Sequence, residues 1–434
     1  MNDTSDAVGL GSPTDEETGA IAAGAPVREA NRIASLDFIR GLAVMGILGA
    51  NIVAFGQPMM AYFSPSLFLV DPGDPGGWQW ITQFIVIDGK MRGLFTILFG
   101  AGMYLFMERA WGRGSSRWLQ AWRLLVLLGF GLTHFYLIWF GDILAGYALI
   151  GFLALGFLRF EAGTQVRLGL FGYVLGSILL AAMLSFPYLI AETSFGEGEA
   201  MAEPRADMLS GLEVQKADDA RYAQLKQEGD YAGLIAARFA KQWYLPFVNP
   251  IFFVFETLPL MVIGMGLYRV GFFSGALDAG KMKLWGWIGV IAGGAGHLAL
   301  GLFVQTAGFN YYAANAAFVG WSMIPRLFMI LGLAALLVEL SKSATGWLGE
   351  RISAAGRAAF TNYLGTSVLM MVVFQGWGLG LFGELNRPML YGVTALTWVI
   401  MLAWSKPWLD RYRYGPLEWL WRCLTYRKVF ALRK

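Results

Sequence analysis

Apolar runs of about 20 residues recur along almost the whole of this sequence, and that is the length a helix needs to cross a hydrocarbon layer. They fall at about 36–57, 84–108, 118–140, 142–158, 167–190, 246–269, 284–306, 319–340, 357–379 and 389–405. Inside a bilayer every backbone N–H and C=O must be satisfied within the chain, so such runs fold as spanning helices. The expected fold is all-α: a polytopic integral membrane protein with about ten transmembrane helices. The fourth run is short and the second starts ambiguously, as an interfacial helix near Trp78 or later, so the count is open by one or two. Composition agrees, with 56% hydrophobic and 15% charged residues, where soluble chains carry about 25% charged. A disordered chain, a collagen-like fibre, a coiled coil and an ordinary soluble enzyme are excluded.

Charge gives the expected orientation. Arg28, Arg32 and Arg40 flank the first run, and Arg109, Arg113 and Arg117 separate the second from the third. Arg159 and Arg167 lie between the fourth and fifth, and Arg269, Lys281 and Lys283 between the sixth and seventh. Lys342, Arg351 and Arg357 precede the ninth, and Arg411, Arg413, Arg422, Arg427 and Lys428 follow the tenth. Every second connection is basic, which the positive-inside rule reads as cytoplasmic. Both termini are then cytoplasmic. The expected organisation is a disordered cytoplasmic tail (1–30), an N-terminal membrane bundle (31–190), an extracytoplasmic loop (191–245), a C-terminal membrane bundle (246–405) and a basic cytoplasmic tail (406–434). The loop carries ten acidic and six basic residues, with a rough helical apolar spacing over 209–243. It reads as one or two amphipathic helices capping a cavity, or as a solvated connector. A net charge of +3 gives no reason to expect nucleic acid. The lone cysteine, Cys423, and two histidines give no metal-site pattern, so no metal is expected.

Ionisable groups inside apolar runs carry the functional information, because they are costly there. His134 and Asp142 lie eight residues apart, where both side chains can share one side of a helix. A carboxylate beside an imidazole fixes its tautomer and makes it a general base. The plainer reading is a hydrogen-bonded histidine, with Asp142 capping the next helix. His297, among Gly293, Gly294 and Gly296, reads as a packed core histidine. Glu256 and Arg326 are either an ion pair or the lining of a polar cavity. Arg40, Arg123 and Arg357, with Arg92, suit a cationic mouth for the phosphates of a donor such as coenzyme A, or act singly as interface anchors. Arg92, with Asp88 and Lys90, falls toward the outer side by topology. Asn51, Thr361, Asn362 and Gln375 either line a pocket or bond between helices.

Several segments resemble the YeiB-like bacterial membrane proteins (domain of unknown function 418). They are Arg32-Ile-Ala-Ser-Leu-Asp37-Phe-Ile-Arg40-Gly-Leu-Ala, Phe95-Thr-Ile-Leu-Phe-Gly-Ala-Gly102 and His134 through Asp142 to Tyr147. Gly229 to Arg238, Gly356-Arg357-Ala-Ala-Phe-Thr361-Asn362-Tyr363 and the ending Arg413 to Tyr426 complete the resemblance. It implies the cytoplasmic (inner) membrane of a bacterium. The Leu-Asp-x-x-Arg-Gly opening is similar to that of the transmembrane acyltransferases. These include bacterial envelope sugar O-acetyltransferases and the lysosomal heparan glucosaminide N-acetyltransferase. That similarity implies transfer of an acyl group, acetyl foremost, from cytoplasmic acyl-CoA to an extracytoplasmic hydroxyl or amine on a glycan, lipid or small molecule. Their key histidine lies on or just after the first helix; the matching position here is Asn51, and no histidine occurs before His134. The base would then be His134 with Asp142, and Arg40, Arg123 and Arg357 would hold the donor. The rival reading is a transporter or a lipid- or small-molecule-binding protein, in which Glu256 and Arg326 matter more. A structural partner in a complex is a third. The acceptor, the acyl chain and any homo-oligomer stay open.

Overall fold

The computed structural model describes Ile33–Lys434, so the tail expected at 1–30 lies outside the described residues. The chain begins with α1 (Ala34–Gly56) and a short α2 (Met59–Phe63). α3 (Trp78–Val86), α4 (Lys90–Trp111), α5 (Trp118–Thr133) and α6 (Leu144–Ala154) follow. α7 (Ala162–Glu192) leads into the long connection, which holds α8 (Ala202–Glu228) and α9 (Tyr231–Lys241). The second half runs α10 (Leu245–Arg269), α11 (Ala279–Thr306), the short α12 (Tyr311–Asn315), α13 (Met323–Ser343) and α14 (Trp347–Arg357). It ends with α15 (Ala359–Phe374), α16 (Arg387–Arg411) and α17 (Pro416–Tyr426). Among the described residues the only extended pairing is an isolated bridge between Tyr412 and Arg433.

Each expected apolar run falls on helical structure, although the second is split between two helices. Among the described residues, seven helical segments are long and apolar enough to cross a membrane: α1, α5 continued to Ile138, α7, α10, α11, α13 and α16. The stretch Leu144–Phe157 and α15 are apolar but shorter. α4 is 22 residues long, with Lys90, Arg92, Glu108 and Arg109 in an otherwise apolar run.

The second run is not one helix. It breaks between α3 and α4 at Gly89, whose φ of +74° favours glycine. A Cβ there would also stand 2.5 Å from Arg326 Nε. Lys90, fully buried, donates to the Phe84 carbonyl near the open end of α3.

Elsewhere small residues let backbones meet. A Cβ on Gly100 would lie 2.0 Å from the Met261 carbonyl, and one on Gly264 would lie 2.0 Å from the Ile97 carbonyl. α4 and α10 therefore touch through reciprocal glycines, the close approach that membrane helices use where water exclusion gives no drive.

The long connection is helical and docked. Asp219 of α8 accepts the N–H groups of Met59 (3.0 Å) and Met60 (2.9 Å), which caps α2.

Candidate functional site

After Thr133, α5 widens into a π-helical turn, His134–Ile138, before the backbone extends at Trp139. Such turns are rare and cluster at functional sites. This one brings the two predicted partners together: His134 Nδ1 lies 2.8 Å from Asp142 Oδ1, with side chains 0% and 1% exposed. Asp142 Oδ2 accepts the Ala145 N–H at 2.7 Å, so the same carboxylate also caps α6. Asp142 thus both contacts the imidazole and caps the next helix. An ionised carboxylate only accepts, which assigns the ring hydrogen to Nδ1 and leaves Nε2 as the basic face. Among the described residues, Nε2 is buried without a partner.

Aromatic rings close around the pair. Tyr363 of α15 lies 5.3 Å from the imidazole and Trp139 6.3 Å, centroid to centroid. Trp139 in turn stacks on Phe55 of α1 at 4.0 Å. Asn51 sits half-buried one turn before Phe55, on the same side of α1.

α9 seals this turn from the side of the long connection. A helix end leaves its last carbonyls open. Arg238 donates to the carbonyls of Tyr136 (3.1 Å), Phe135 (3.5 Å) and Ile138 (3.5 Å), and the Tyr231 hydroxyl donates to that of Leu137. Burial pulls the Arg238 guanidinium down to about 10.

On the other side of Tyr363 lies a cavity of about 300 Å³, at the small end of the range for ligand pockets. Arg40, Arg123 and Arg357 all line it, as do Arg422, Glu418 and Tyr414. Its inner wall is Phe95, Phe99, Leu127, Leu144, Tyr147 and Tyr363. Arg123 is held between the rings of Phe106 (4.6 Å) and Trp421 (4.3 Å), contacts that stack a guanidinium while leaving its edge available. Arg40 pairs with Asp37 at 3.1 Å. The three arginines expected at a cationic mouth therefore share one cavity.

Arg92 does not join them. It pairs with Glu256, whose other oxygen accepts from Arg326 Nη1 at 3.0 Å. Arg326 also donates to Ser322 Oγ at 2.6 Å. Glu256 and Arg326 thus form the predicted pair with a third member, outside the cavity lining. Near the break, Gln83 binds Asp88 (3.0 Å), Arg387 (3.2 Å) and Tyr391 (2.6 Å). Asn362 is tied to Ala355 (3.0 Å), Ser405 (3.1 Å) and Trp404 (2.9 Å), and it too lies outside the lining. His297 Nδ1 binds the Gly293 carbonyl at 2.8 Å within α11. Among the described residues no group of three His, Cys, Asp or Glu side chains is arranged to hold a metal ion.

Sequence reasoning did not single out Tyr363, Tyr147, Glu418, Arg422 or Arg238 as site residues. For α17 the signal was present: Glu418, Arg422 and Tyr426 recur every four residues and form one helical face, and all three line the cavity.

Residues 267–428 match the family described as Protein of unknown function (DUF418). The Uncharacterized protein YeiB of Escherichia coli (strain K12) is 31% identical over 411 residues, 91% of this chain and 97% of that protein. The Uncharacterized protein YxaH of Bacillus subtilis (strain 168) is 28% identical over 412 residues, covering 92% and 96%. An Uncharacterized 39.9 kDa protein in amylase 3'region of Bacillus acidopullulyticus is 26% identical over 423 residues, covering 94% and 97%. No solved structure matches the chain. With one such relative aligned over nearly its full length, the chain belongs to the YeiB-like family of proteins of unknown function, DUF418.

Proposed function

We propose that this protein is a transmembrane acyltransferase of a bacterial cytoplasmic membrane. It takes an acyl group, acetyl foremost, from cytoplasmic acyl-CoA and passes it to a hydroxyl or amine reached from the other face. One observation carries the reading. The cavity that gathers Arg40, Arg123 and Arg357 ends at Tyr363, and Tyr363 rests on the buried His134–Asp142 pair.

The roles follow from the chemistry. Guanidinium groups hold phosphate oxygens through charge-assisted, paired hydrogen bonds. The apolar inner wall receives the uncharged arm and the acyl group. His134 Nε2 removes the acceptor's proton, while Asp142 holds the tautomer and the ring orientation. The proton then leaves with the coenzyme's sulfur, so thioester and acceptor become ester or amide and free thiol.

The test is titration of acetyl-CoA into the purified protein in detergent, with dephospho-CoA and ATP as controls. Saturable binding, weakened at least tenfold by Arg357→Ala or Arg40→Ala, supports the reading. No binding at millimolar acetyl-CoA by folded protein removes it.

A transporter is the second reading, and the buried charges at the α3–α4 break favour it. Discontinuous helices with ionisable groups near mid-span line the binding sites of many transporters. Substrate movement into sealed vesicles without acyl-CoA, abolished by Glu256→Gln, would establish it instead.

A further inference from the structure

The cavity and the base do not meet directly. His134 is fully buried and is not part of the cavity wall. Tyr363 both lines the cavity and packs on the imidazole, with 57° between the two rings. Its hydroxyl oxygen accepts the Ile143 N–H at 3.2 Å, one residue beyond Asp142. A phenol that accepts one hydrogen bond still carries its own O–H. That hydrogen has no acceptor among the described residues.

The neighbouring tyrosine differs. The Tyr147 hydroxyl, on the same inner wall, is already shared with Thr96 Oγ1 (2.6 Å) and the Arg92 carbonyl (3.2 Å). A donor free to serve a ligand at the inner end is therefore supplied by Tyr363, whose ring packs on the imidazole of His134.

We propose that Tyr363 is a catalytic residue whose hydroxyl donates a hydrogen bond to the carbonyl oxygen of the bound acyl group. The proposal rests on the acyltransferase reading and adds the group that polarises the electrophile. The acceptor's oxygen or nitrogen, entering from the His134 side of the Tyr363 ring, bonds to the acyl carbon as His134 Nε2 takes its proton. The carbonyl electron pair moves to oxygen, where the Tyr363 O–H stabilises the charge. The tetrahedral centre then collapses, the C–S bond breaks, and sulfur leaves with the proton from the imidazolium. Atoms and charge balance without oxidant, reductant or water. Removing one such donor elsewhere lowers kcat by about 10²–10³-fold.

The acceptor is unidentified, so the test reads the ground-state hydrogen bond directly. Acetyl-CoA labelled with ¹³C at the carbonyl is bound to the full-length protein, and its C=O stretch is followed by isotope-edited infrared spectroscopy. In the wild type the band should fall below its position in free acetyl-CoA. In Tyr363→Phe, which keeps the ring and the wall, it should return to the free position with Kd changed less than threefold. Tyr147→Phe should keep the lowered band. A wild-type band at the free position, or a lowered band that survives Tyr363→Phe, overturns the assignment. If acetyl-CoA does not bind the wild type at all, the donor reading of the cavity falls, and the role of Tyr363 falls with it.

Discussion

Glu418 holds the start of the helix that carries Tyr363, and Thr361 is its principal partner. Glu418 Oε1 accepts the N–H groups of Phe360 (2.7 Å) and Thr361 (3.1 Å), and Oε2 accepts the Thr361 hydroxyl at 2.6 Å. These are the open donors of the first turn of α15, satisfied from α17, fifty-seven residues later for Thr361. Glu418 thus couples the last helix to the cavity wall as well as lining the cavity.

Burial pushes the Glu418 carboxyl above its ordinary 4.5, although its hydrogen bonds to Thr361 and Phe360 pull the other way. A carboxyl raised in the folded state contributes stability that is fully present below 4.5 and is lost as pH rises through the folded value. Thermal unfolding in detergent between pH 4 and 7 should therefore show the wild type losing ground to Glu418→Gln as pH rises. Glu418→Ala, which strands buried donors, should lose about 1–3 kcal/mol at any pH. A pH-independent difference between wild type and Glu418→Gln would rule out this account of the carboxyl.

Lys226 gives the opposite sign at the other docking point. It is a buried lysine on α8 lying over the rings of Phe382 (4.2 Å) and Phe140 (5.8 Å). Burial, then the charge of Arg238, lowers it from 10.5 to about 7 against the pull of Asp219. Its contribution is full above 10.5 and is lost as pH falls toward about 7. The stability of wild type minus Lys226→Met should accordingly rise with pH from 7 to 9.5, by at most about 1.4 kcal/mol per unit. A flat difference would mean that Lys226 is solvated and that α8 is not seated on the Phe140 and Phe382 rings.

Glu256 neutralises two arginines from different helices, Arg92 on α4 and Arg326 on α13. Glu256→Gln leaves the buried Arg326 and the half-buried Arg92 without a counter-charge, and breaking a buried pair costs about 3–5 kcal/mol. The melting temperature in detergent should drop accordingly, while acetyl-CoA binding at the separate cavity changes little in protein that stays folded. A loss below about 1 kcal/mol would show that the triad is wet and does not tie these helices together.

The helices were legible because hydrocarbon admits few alternatives, and every apolar run fell on helical structure, the second split between α3 and α4. What the sequence did not reveal is how the charges partition. Arg40, Arg92, Arg123 and Arg357 are alike as residues, yet three line the cavity and Arg92, which topology already set toward the outer side, turns to Glu256 just after the break at Gly89. Apolar periodicity does not report such a break; Asp88, Gly89 and Lys90 do, as three poor formers of a membrane helix in a row. Arg238 was hidden differently. It stands in a polar connection, where a basic residue reads as solvated, but it is 1% exposed because it serves carbonyls opened by a π-helical turn. Tyr363 was quoted as part of a motif, but its role depends on what lies on each side of its ring, which one-dimensional spacing does not contain.

The His134–Asp142 pair makes a prediction whose first readout, the tautomer, needs no acceptor. With Asp142 ionised, His134 carries its hydrogen on Nδ1 and offers Nε2 as a base. Asp142→Asn keeps an oxygen for the Ala145 N–H, so α6 stays capped. The new amide N–H₂ then faces Nδ1 and forces that nitrogen to accept, which moves the ring hydrogen to Nε2. The chain has two histidines, so a His297→Gln background leaves one imidazole for ¹⁵N NMR. The wild-type ring should show a protonated Nδ1 and an unprotonated Nε2, and Asp142→Asn should exchange the two signals with little change in melting temperature. Acetyl-CoA should bind the variant as before, because no arginine is touched. Transfer should fall by about 10²–10⁴-fold, the share a general base supplies. His134→Ala should match it, since a base in the wrong tautomer and an absent base leave the acceptor's proton equally in place. An Asp142→Asn variant that kept the Nδ1-protonated tautomer and also lost transfer would place the carboxylate's role in its charge and remove tautomer control from the mechanism.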